Sequence, residues 1–442
     1  MIEICTVGGY NEVGKNMTAV KVDDEVVIFD MGVHLDSYIK YTEDEDLHDI
    51  SAAELIKVGA IPDDSVISDW RKMVRAIIPT HAHLDHIGAV PFLSNKYDAP
   101  IICTPYSAEV LKALLKDEKL KLNNKIRVLS PNSTLKISET MKVEFINMTH
   151  SVPQTIMVAL HTKYGTIIYA NDFKLDDSPI MGKKPNYKRL RELGDQKVAV
   201  LIIDSIYASE HKKTPSESVA KEMLRDVLLS VDSKGKAVIV TTFSSHLARL
   251  KSIVEFGKRM NRKIVFLGRS LAKYIEAGEN INLVNFSKEG KIFKYANEAK
   301  SGLRKIMKDG REKYLIVVTG HQGEPKSILS RMVGGTLPFD FKKEDHVVFS
   351  CTIIPTSVNF ANREKIEGDL RKFGVRIFRD IHVSGHAARE DHRDLINLTR
   401  PEHLIPAHAE LAKRSAMAEL ASEMGYAPSK VHLVKNGQRL KI

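Results

Sequence analysis

The stretch Thr80-His81-Ala82-His83-Leu84-Asp85-His86 constrains this 442-residue chain more than any other. It sets three imidazoles and a carboxylate within six positions, directly after the apolar run Ala76-Ile77-Ile78-Pro79. A packed core has no use for so many polar rings together, whereas a cation does. In an extended segment His81 and His83 point to the same side and can grip one cation. As the chain turns into a helix near Ile87-Gly88-Ala89-Val90, Asp85 and His86 can face a second. Imidazole nitrogen with carboxylate oxygen is the donor set of zinc, with manganese or iron as weaker candidates. The fold therefore has to bring further ligands to this spot.

Candidates stand at the ends of apolar, strand-like runs. His150 follows Val143–Thr149, Asp172 follows Thr166–Asn171, His408 follows His403–Ala407, and Asp30 closes Val26–Phe29 ahead of Met31-Gly32. A single strand-end Asp or His says little. Its repetition along successive strands is informative, because chemistry collects at one edge of a sheet.

Together these residues resemble a known family. Asp30, the His81–His86 cluster, His150 and Asp172 resemble the four successive motifs of the metallo-β-lactamase superfamily. Asp204 in Leu201-Ile202-Ile203-Asp204-Ser205, His386 in His382-Val383-Ser384-Gly385-His386-Ala387, and His408 in Pro406-Ala407-His408-Ala409-Glu410 resemble the three further motifs of its β-CASP nuclease branch. The wording around His386 and the 22-residue step from there to His408 are most similar to the ribonuclease J family in its compact archaeal form. The resemblance runs from Met1 to Ile442. Neither the extra C-terminal domain of the bacterial enzymes nor the N-terminal RNA-binding modules of archaeal cleavage-factor relatives is expected.

The resemblance implies an α/β fold: an αββα metallo-β-lactamase sandwich with an inserted, doubly wound α/β β-CASP domain. The sandwich would comprise 1–209 and 378–442, and the insertion 210–377. It also implies two zinc ions per subunit, with manganese as the alternative. His81, His83 and His150 would hold the first ion, Asp85, His86 and His408 the second, and Asp172 would bridge them. Asp85 would also position the attacking water, and Asp30 would steady a ligand imidazole rather than bind metal. His386 would contact the scissile phosphate and protonate the departing 3′ oxygen, with Asp204 orienting its ring. A supporting histidine with no proton to give is the competing reading of His386. Around it, His382, Val383, Ser384 and Gly385 suit a phosphate seat, since glycine permits close backbone approach and serine offers a hydroxyl.

Charge distribution agrees with a polyanionic substrate. Residues 210–377 contain 32 Lys and Arg against 19 Asp and Glu, whereas the remainder holds 34 against 37. All the excess positive charge of the chain, +10 overall, lies in the middle segment. Solvated lysine-rich faces are the plain explanation, but beside a hydrolytic metal site a basic lobe suits nucleic acid. The cluster Lys183, Lys184, Lys188, Arg189 and Arg191 could guide RNA, although an ordinary basic helix face explains it equally well.

Periodicity supports the insertion. Strand-like runs at 2–8, 16–22, 25–30 and 75–80 open the chain, with Glu43-Asp44-Glu45-Asp46 in a loop between motifs. From about 210 the pattern alternates between helix and fully apolar strand, at 236–243, 263–268, 314–319 and 346–351, which predicts a mostly parallel sheet covered on both faces. Thr214-Pro215-Ser216-Glu217 reads as a capping box. It leads a helical stripe of Val219, Met223, Leu224, Val227, Leu228 and Val231. Val431–Val434 reads as the last strand. Thr242-Phe243-Ser244-Ser245-His246 joins an apolar strand to a helix near Leu247. Ser244, Ser245 and His246 there make either an N-cap or, as the resemblance implies, a pocket for a 5′-monophosphate. Thr319–Pro325 resembles the family's Gly-Ser-Gln-Gly-Glu-Pro turn, with His321 where Ser is usual.

No apolar run approaches the roughly 18 residues that span a bilayer, and Met1-Ile2-Glu3 opens a strand rather than a signal peptide. Cys5, Cys103 and Cys351 show no pairing pattern and read as reduced thiols of a cytoplasmic protein. The expected function is a zinc-dependent ribonuclease acting processively 5′→3′ on single-stranded RNA with a 5′-monophosphate end, with some endonuclease activity, in RNA decay and maturation. A homodimer and no membrane partner are expected. Competing readings are a hydrolase of small esters, thioesters or lactams on the same core, a DNA-acting relative, and a non-catalytic RNA-binding subunit. The basic insertion, Asp204 and His386 have no use in the first. His408, where DNA-acting relatives usually carry Val, speaks against the second, and the complete ligand set speaks against the third.

Overall fold

The computed structural model describes residues 1–44 and 51–442. They form two compact units. The first comprises Met1–Asp177, Gly182–Thr214 and Ser384–Ile442, and the second Ser178–Met181 with Pro215–Val383.

The first unit is a two-sheet sandwich. One sheet runs in the order Gln438–Lys441, Ile2–Gly8, Met17–Val22, Glu25–Phe29, Val74–Ile78, Ile101–Cys103, Ile126–Val128. The other runs His403–Ala407, Val198–Asp204, Gly165–Ala170, Ile156–Thr162, Lys142–Asn147, Thr134–Lys136. Alternate residues of both, including Val27, Phe29, Ile78, Phe145, Tyr169, Ile202 and Ile405, meet in one core between the sheets. Phe29 stacks on Tyr169 at 4.9 Å across that interface. The outer face of the second sheet buries Ile168, Leu201 and Leu404 with Leu190, Leu395 and Leu420 from three helices, Tyr187–Gly194, Arg389–Thr399 and Leu411–Glu423. Each large apolar side chain so buried contributes about 1.5–3 kcal/mol.

Three of the strands in the second sheet are mutually parallel: Gly165–Ala170, Val198–Asp204 and His403–Ala407. Glu25–Phe29 and Val74–Ile78 are parallel in the first. Parallel strands end together, so Asp172, Asp204 and His408 emerge at one edge, and Asp30 and the run into His81 emerge likewise from their own sheet.

The second unit is built on a six-stranded sheet whose strand pairs are all parallel. Its order is Gly290–Phe293, Lys263–Leu267, Tyr314–Val318, Val238–Thr241, His346–Phe349, Arg376–Phe378. Ile239, Val265, Ile316 and Val347 face one apolar cluster that includes Leu303, Leu329 and Ile366 from helices. On the opposite face, Val238, Val240 and Ile264 are buried as well. Burial on both faces makes the strands uniformly apolar, as the sequence pattern indicates.

Several local expectations are corrected. The last strand is Gln438–Lys441, paired with Ile2–Gly8, while Val431 makes only a single bridge to Leu404. The Val434 carbonyl is taken instead by the buried Arg414 guanidinium at 2.6 Å. The helix after Thr214 starts at Glu217, with Ser216 as its cap. Thr214 is diverted: its hydroxyl donates to the His386 carbonyl and its N–H to Asp391. Glu217 is buried against Arg249 rather than completing a capping box. Val219 is exposed, so the buried stripe reduces to Ala220, Leu224 and Leu228. The edge strands Gly290–Phe293 and Arg376–Phe378 lack the fully buried pattern of the other four, and the apolar-run criterion misses them. Of the acidic stretch expected in a loop, Glu43 and Asp44 close the helix Leu35–Asp44, and Glu45 and Asp46 lie outside the described residues.

Candidate metal centre

Strand ends of the first unit deliver their polar residues to one place. Asp30, Asp172 and His408 each follow a strand and each adopt a left-handed backbone, with φ of 58°, 56° and 58°. Such a conformation is uncommon for a residue bearing a Cβ and is held only where surroundings dictate it. Here it turns the side chain inward as soon as the strand stops. His83 precedes the short helix Leu84–Ile87, which carries Asp85 and His86. That helix is drawn so close to Gly32 that a Cβ there would stand 1.6 Å from the Asp85 carbonyl oxygen.

Two four-residue groups result, each with ligand atoms within 4.8 Å of one another: His81, His83, His150 and Asp172, and Asp85, His86, Asp172 and His408. Nε2 of His81 and Nε2 of His150 approach Nδ1 of His83 to 3.0 and 3.1 Å. Asp172 belongs to both groups. Its Oδ2 is 3.4 Å from His81 Nε2, 3.5 Å from His150 Nε2 and 3.3 Å from His86 Nε2, and its Oδ1 is 3.2 Å from His408 Nε2. Asp85 Oδ2 lies 3.7 Å from both His86 Nε2 and His408 Nε2.

The remaining ring nitrogens test whether a cation fits. A histidine that ligates through one nitrogen should donate its other N–H to an acceptor. His86 Nδ1 donates to Asp30 Oδ2 at 2.7 Å, His150 Nδ1 to the Gly385 carbonyl at 2.6 Å, and His408 Nδ1 to Asn16 Oδ1 at 2.8 Å. His81 Nδ1 reaches the Thr80 hydroxyl at 3.2 Å. Each of these four rings therefore turns Nε2 toward the centre, where the Asn16 amide nitrogen also lies 3.1 Å from His86 Nε2. Asp172 Oδ1, though buried, makes no hydrogen bond among the described residues. The donor set and its supports fit divalent metal of the zinc type.

Electrostatics follow from that crowding. Burial lowers His83 and His150 well below the usual imidazole range, and neighbouring imidazoles push them further down. Burial also opposes charge on His86, but Asp172, Asp30 and Asp85 outweigh it and hold this ring well above the usual range. Burial would raise Asp172, yet His408, His86 and His386 keep it well below an ordinary carboxyl.

His386 and Asp204 form a third group with Asp172. His386 Nδ1 meets Asp204 Oδ2 at 3.0 Å, and its Nε2 stands 3.9 Å from Asp172 Oδ2. Burial lowers its pKa, but the Asp172 and Asp204 carboxylates prevail and raise it to about 9. The ring stays 21% exposed, so it is reachable from outside. Asp204 Oδ1 is fixed by the Ile206 N–H at 2.8 Å.

Asp30 accepts from Thr80 N–H and from His86, consistent with a supporting carboxylate. Ser384 Oγ accepts the His386 N–H at 3.0 Å. Gly385 packs against His150, where a Cβ would meet the ring at 3.0 Å. Its smallness serves that imidazole. The unit boundary falls between Val383 and Ser384, so His382 and Val383 belong to the second unit. Asn16 escaped the sequence reading: a buried amide that accepts from His408 and donates to the Asp85 carbonyl at 3.0 Å. Its only signal is an amide immediately before an apolar strand.

In the second unit, Ser244–His246 follow the strand Val238–Thr241. Ser244 Oγ pairs with Ser270 Oγ at 2.9 Å, Ser245 is buried, and the buried His246 lies 3.5 Å from Glu217. Of the three, Ser244 is the accessible one. The His321 ring packs tilted against Phe243 at 4.4 Å between centroids, and its carbonyl is held by Arg363 at 2.8 Å. Of the basic cluster near 183–191, Arg189 is bound to Glu144 and Glu192, while Lys183, Lys184 and Arg191 are exposed.

A two-sheet sandwich with a histidine–aspartate centre at its strand ends, interrupted by a parallel-sheet unit, defines a metallohydrolase of the metallo-β-lactamase type. Residues 10–205 match the family model of the metallo-β-lactamase superfamily, 235–366 that of the ribonuclease J beta-CASP domain, and 375–434 that of the Zn-dependent metallo-hydrolase RNA specificity domain. The chain is 43% identical over 441 residues to Ribonuclease J of Methanocaldococcus jannaschii, covering 99% of this chain and 98% of that one. It is 44% identical over 445 residues to Ribonuclease J of Pyrococcus abyssi, covering 100% and 97%. A crystal structure of a protein of unknown function from Enterococcus faecalis V583 superposes with a TM-score of 0.64 over 99% of both chains at 15% identity, a likeness of fold alone. The chain belongs to the ribonuclease J family. No helix among the described residues is long and apolar enough to cross a membrane.

Proposed function

We propose that this metal-dependent ribonuclease degrades single-stranded RNA processively from a 5′-monophosphate end, with a lesser endonuclease activity, using two zinc ions. The observation that carries the reading is the sharing of Asp172 between two ligand groups. On this reading His81, His83 and His150 would hold one ion and Asp85, His86 and His408 the other, with Asp172 available to both. Bound divalent cations supply Lewis acidity to the phosphoryl oxygens, acidify water and draw down the pKa of a neighbouring imidazole.

The chain's own groups supply the rest. Asp85, partly exposed at the centre, orients the attacking water. Asp204 accepts from His386 Nδ1 and so fixes the proton of the acid form on Nε2. His386 gives that proton to the departing 3′ oxygen as the P–O3′ bond breaks, leaving a 3′-hydroxyl on one product and a 5′-phosphate on the other. Ser384 holds the main chain of His386 and, with it, is assigned to the phosphate side of the site. Asp30 and Asn16 keep ligand rings oriented. In the second unit the Ser244 hydroxyl, at the carboxyl end of a central strand where such sheets bind ligands, serves the terminal phosphate. Domains at 1–209 and 378–442 (sandwich) and 210–377 (insertion), a homodimer and a cytoplasmic location complete the reading.

Metal stripping and zinc return test it. His81→Ala and Asp85→Ala should lose RNA hydrolysis and fail to regain it with zinc, whereas the wild type recovers. A variant that recovered fully would remove its residue from the metal assignment.

A further inference from the structure

In the second unit, the helix Ala296–Asp309 lies beside the edge strand Gly290–Phe293. Ala299, Leu303 and Ile306 face the core. Lys300, Arg304, Lys305 and Lys308 occupy the opposite face, all exposed. At 1.5 Å rise per residue, Lys300, Arg304 and Lys308 follow one another about 6 Å apart along the axis. Lys291 joins them from the strand. It shares a face with Phe293, two residues on, and Phe293 packs on Gly302 of this helix.

These cations stand in a row without acidic partners among the described residues. None of the five lies within 4.0 Å of a carboxylate among the described residues, whereas Lys221 is bound to Glu255, Lys258 to Glu289 and Lys372 to Asp369. The helix's own acids are otherwise engaged: Glu298 accepts the Lys294 and Tyr295 N–H groups, and Asp309 accepts the Tyr314 hydroxyl. Tyr295, the N-cap residue of the helix, is 55% exposed, with Lys294 Nζ 5.8 Å from its ring centroid. Uncompensated charge in a row, with an exposed aromatic ring at the start of the same helix, is what a single-stranded nucleic acid engages, the cations following phosphates and the ring receiving a base.

We propose that Lys291, Tyr295, Lys300, Arg304, Lys305 and Lys308 form a seat for the backbone of single-stranded RNA on the second unit, separate from the metal centre's ligands. It holds part of a long substrate and adds affinity that a short oligomer does not gain. The proposal rests on the ribonuclease reading for its choice of polyanion.

The test measures binding of the zinc-loaded full chain to cleavage-resistant phosphorothioate RNAs, one short and one long, across a salt series. The variant Lys300→Gln/Arg304→Gln/Lys308→Gln retains good helix formers. A second variant, Lys221→Gln/Lys258→Gln/Lys372→Gln, removes the same formal charge from paired positions. For the long RNA, the first variant should bind at least tenfold more weakly at low salt. Its slope of log affinity against log salt should fall by about 2, near 0.7 for each lost phosphate contact. The second variant should stay close to wild type. Tyr295→Ala should weaken the long RNA without changing the slope. Wild-type affinity and slope in the first variant, or equal losses in both triple variants, would overturn the seat. A wild type that binds neither RNA would overturn the ribonuclease reading as well.

Discussion

Asp204 and His386, 182 residues apart in sequence, meet at 3.0 Å through Oδ2 and Nδ1. The carboxylate does two things at once. It fixes which ring nitrogen faces Asp172, and with Asp172 it keeps the imidazole protonated against the pull of burial.

Replacing Asp204 by Asn keeps the side chain's size and removes its charge. The His386 pKa should fall, so the acid form disappears at lower pH and the alkaline limb of the rate profile moves toward acid. Turnover at neutral pH should drop by about 10²-fold, the lower range for losing general acid catalysis. An unshifted alkaline limb would assign that limb to another group.

Asn16 touches two rings of the second group, accepting from His408 Nδ1 at 2.8 Å and placing its amide nitrogen 3.1 Å from His86 Nε2, and, among the described residues, no ring of the first group. If the proposed two-metal reading holds, Asn16→Ala should weaken one metal by about 10–100-fold and leave the other bound. Competition with a chromophoric chelator would reveal this as a biphasic release. Parallel loss of both metals would mean that the amide supports the whole centre.

Gly32 admits no side chain, since a Cβ would collide with the Asp85 carbonyl. Gly32→Ala should displace the Leu84–Ile87 helix, cost more than about 3 kcal/mol of stability and abolish zinc binding. A melting temperature matching the wild type would show that this contact relaxes.

Glu144 ties His161 and Arg189 together far from the chemistry. Burial opposes its charge, but hydrogen bonds from His161 and Arg189 hold its pKa at about 2. A folded pKa below the unfolded value gives stability that is complete above the ordinary carboxyl range and fades as pH falls toward about 2, here roughly 2–3 kcal/mol. Glu144→Gln should therefore be less stable than wild type at pH 7, with the gap closing steadily below pH of about 4.5. A gap independent of pH would point to packing.

Several residues that meet at the candidate centre were legible because each is a His or Asp at the end of an apolar run, and parallel strands carry such ends to one edge. Asp172 and His408 are readable in that way. Asn16 and Gly32 were not, because their work depends on backbone brought from Asp85, almost seventy and more than fifty residues away. The capping signal at Thr214 failed for a related reason: tertiary partners, the His386 carbonyl and Asp391, claimed the threonine. Likewise nothing in the local sequence of Ser244–His246 shows that the buried His246 lies 3.5 Å from Glu217. Local propensity describes the strand and the helix but not which polar group a distant partner will take.

The most direct measurement is a time course on one RNA labelled at either the 5′ or the 3′ end, with a 5′-monophosphate, 5′-triphosphate or 5′-hydroxyl terminus. Immediate release of labelled mononucleotide from the 5′ label, fastest with the monophosphate, and loss of full-length 3′-labelled RNA at the same rate, its label reaching the mononucleotide fraction only at the end of each strand, is the predicted result. Equal rates for all three termini, or mononucleotides released first from the 3′ label, would contradict it.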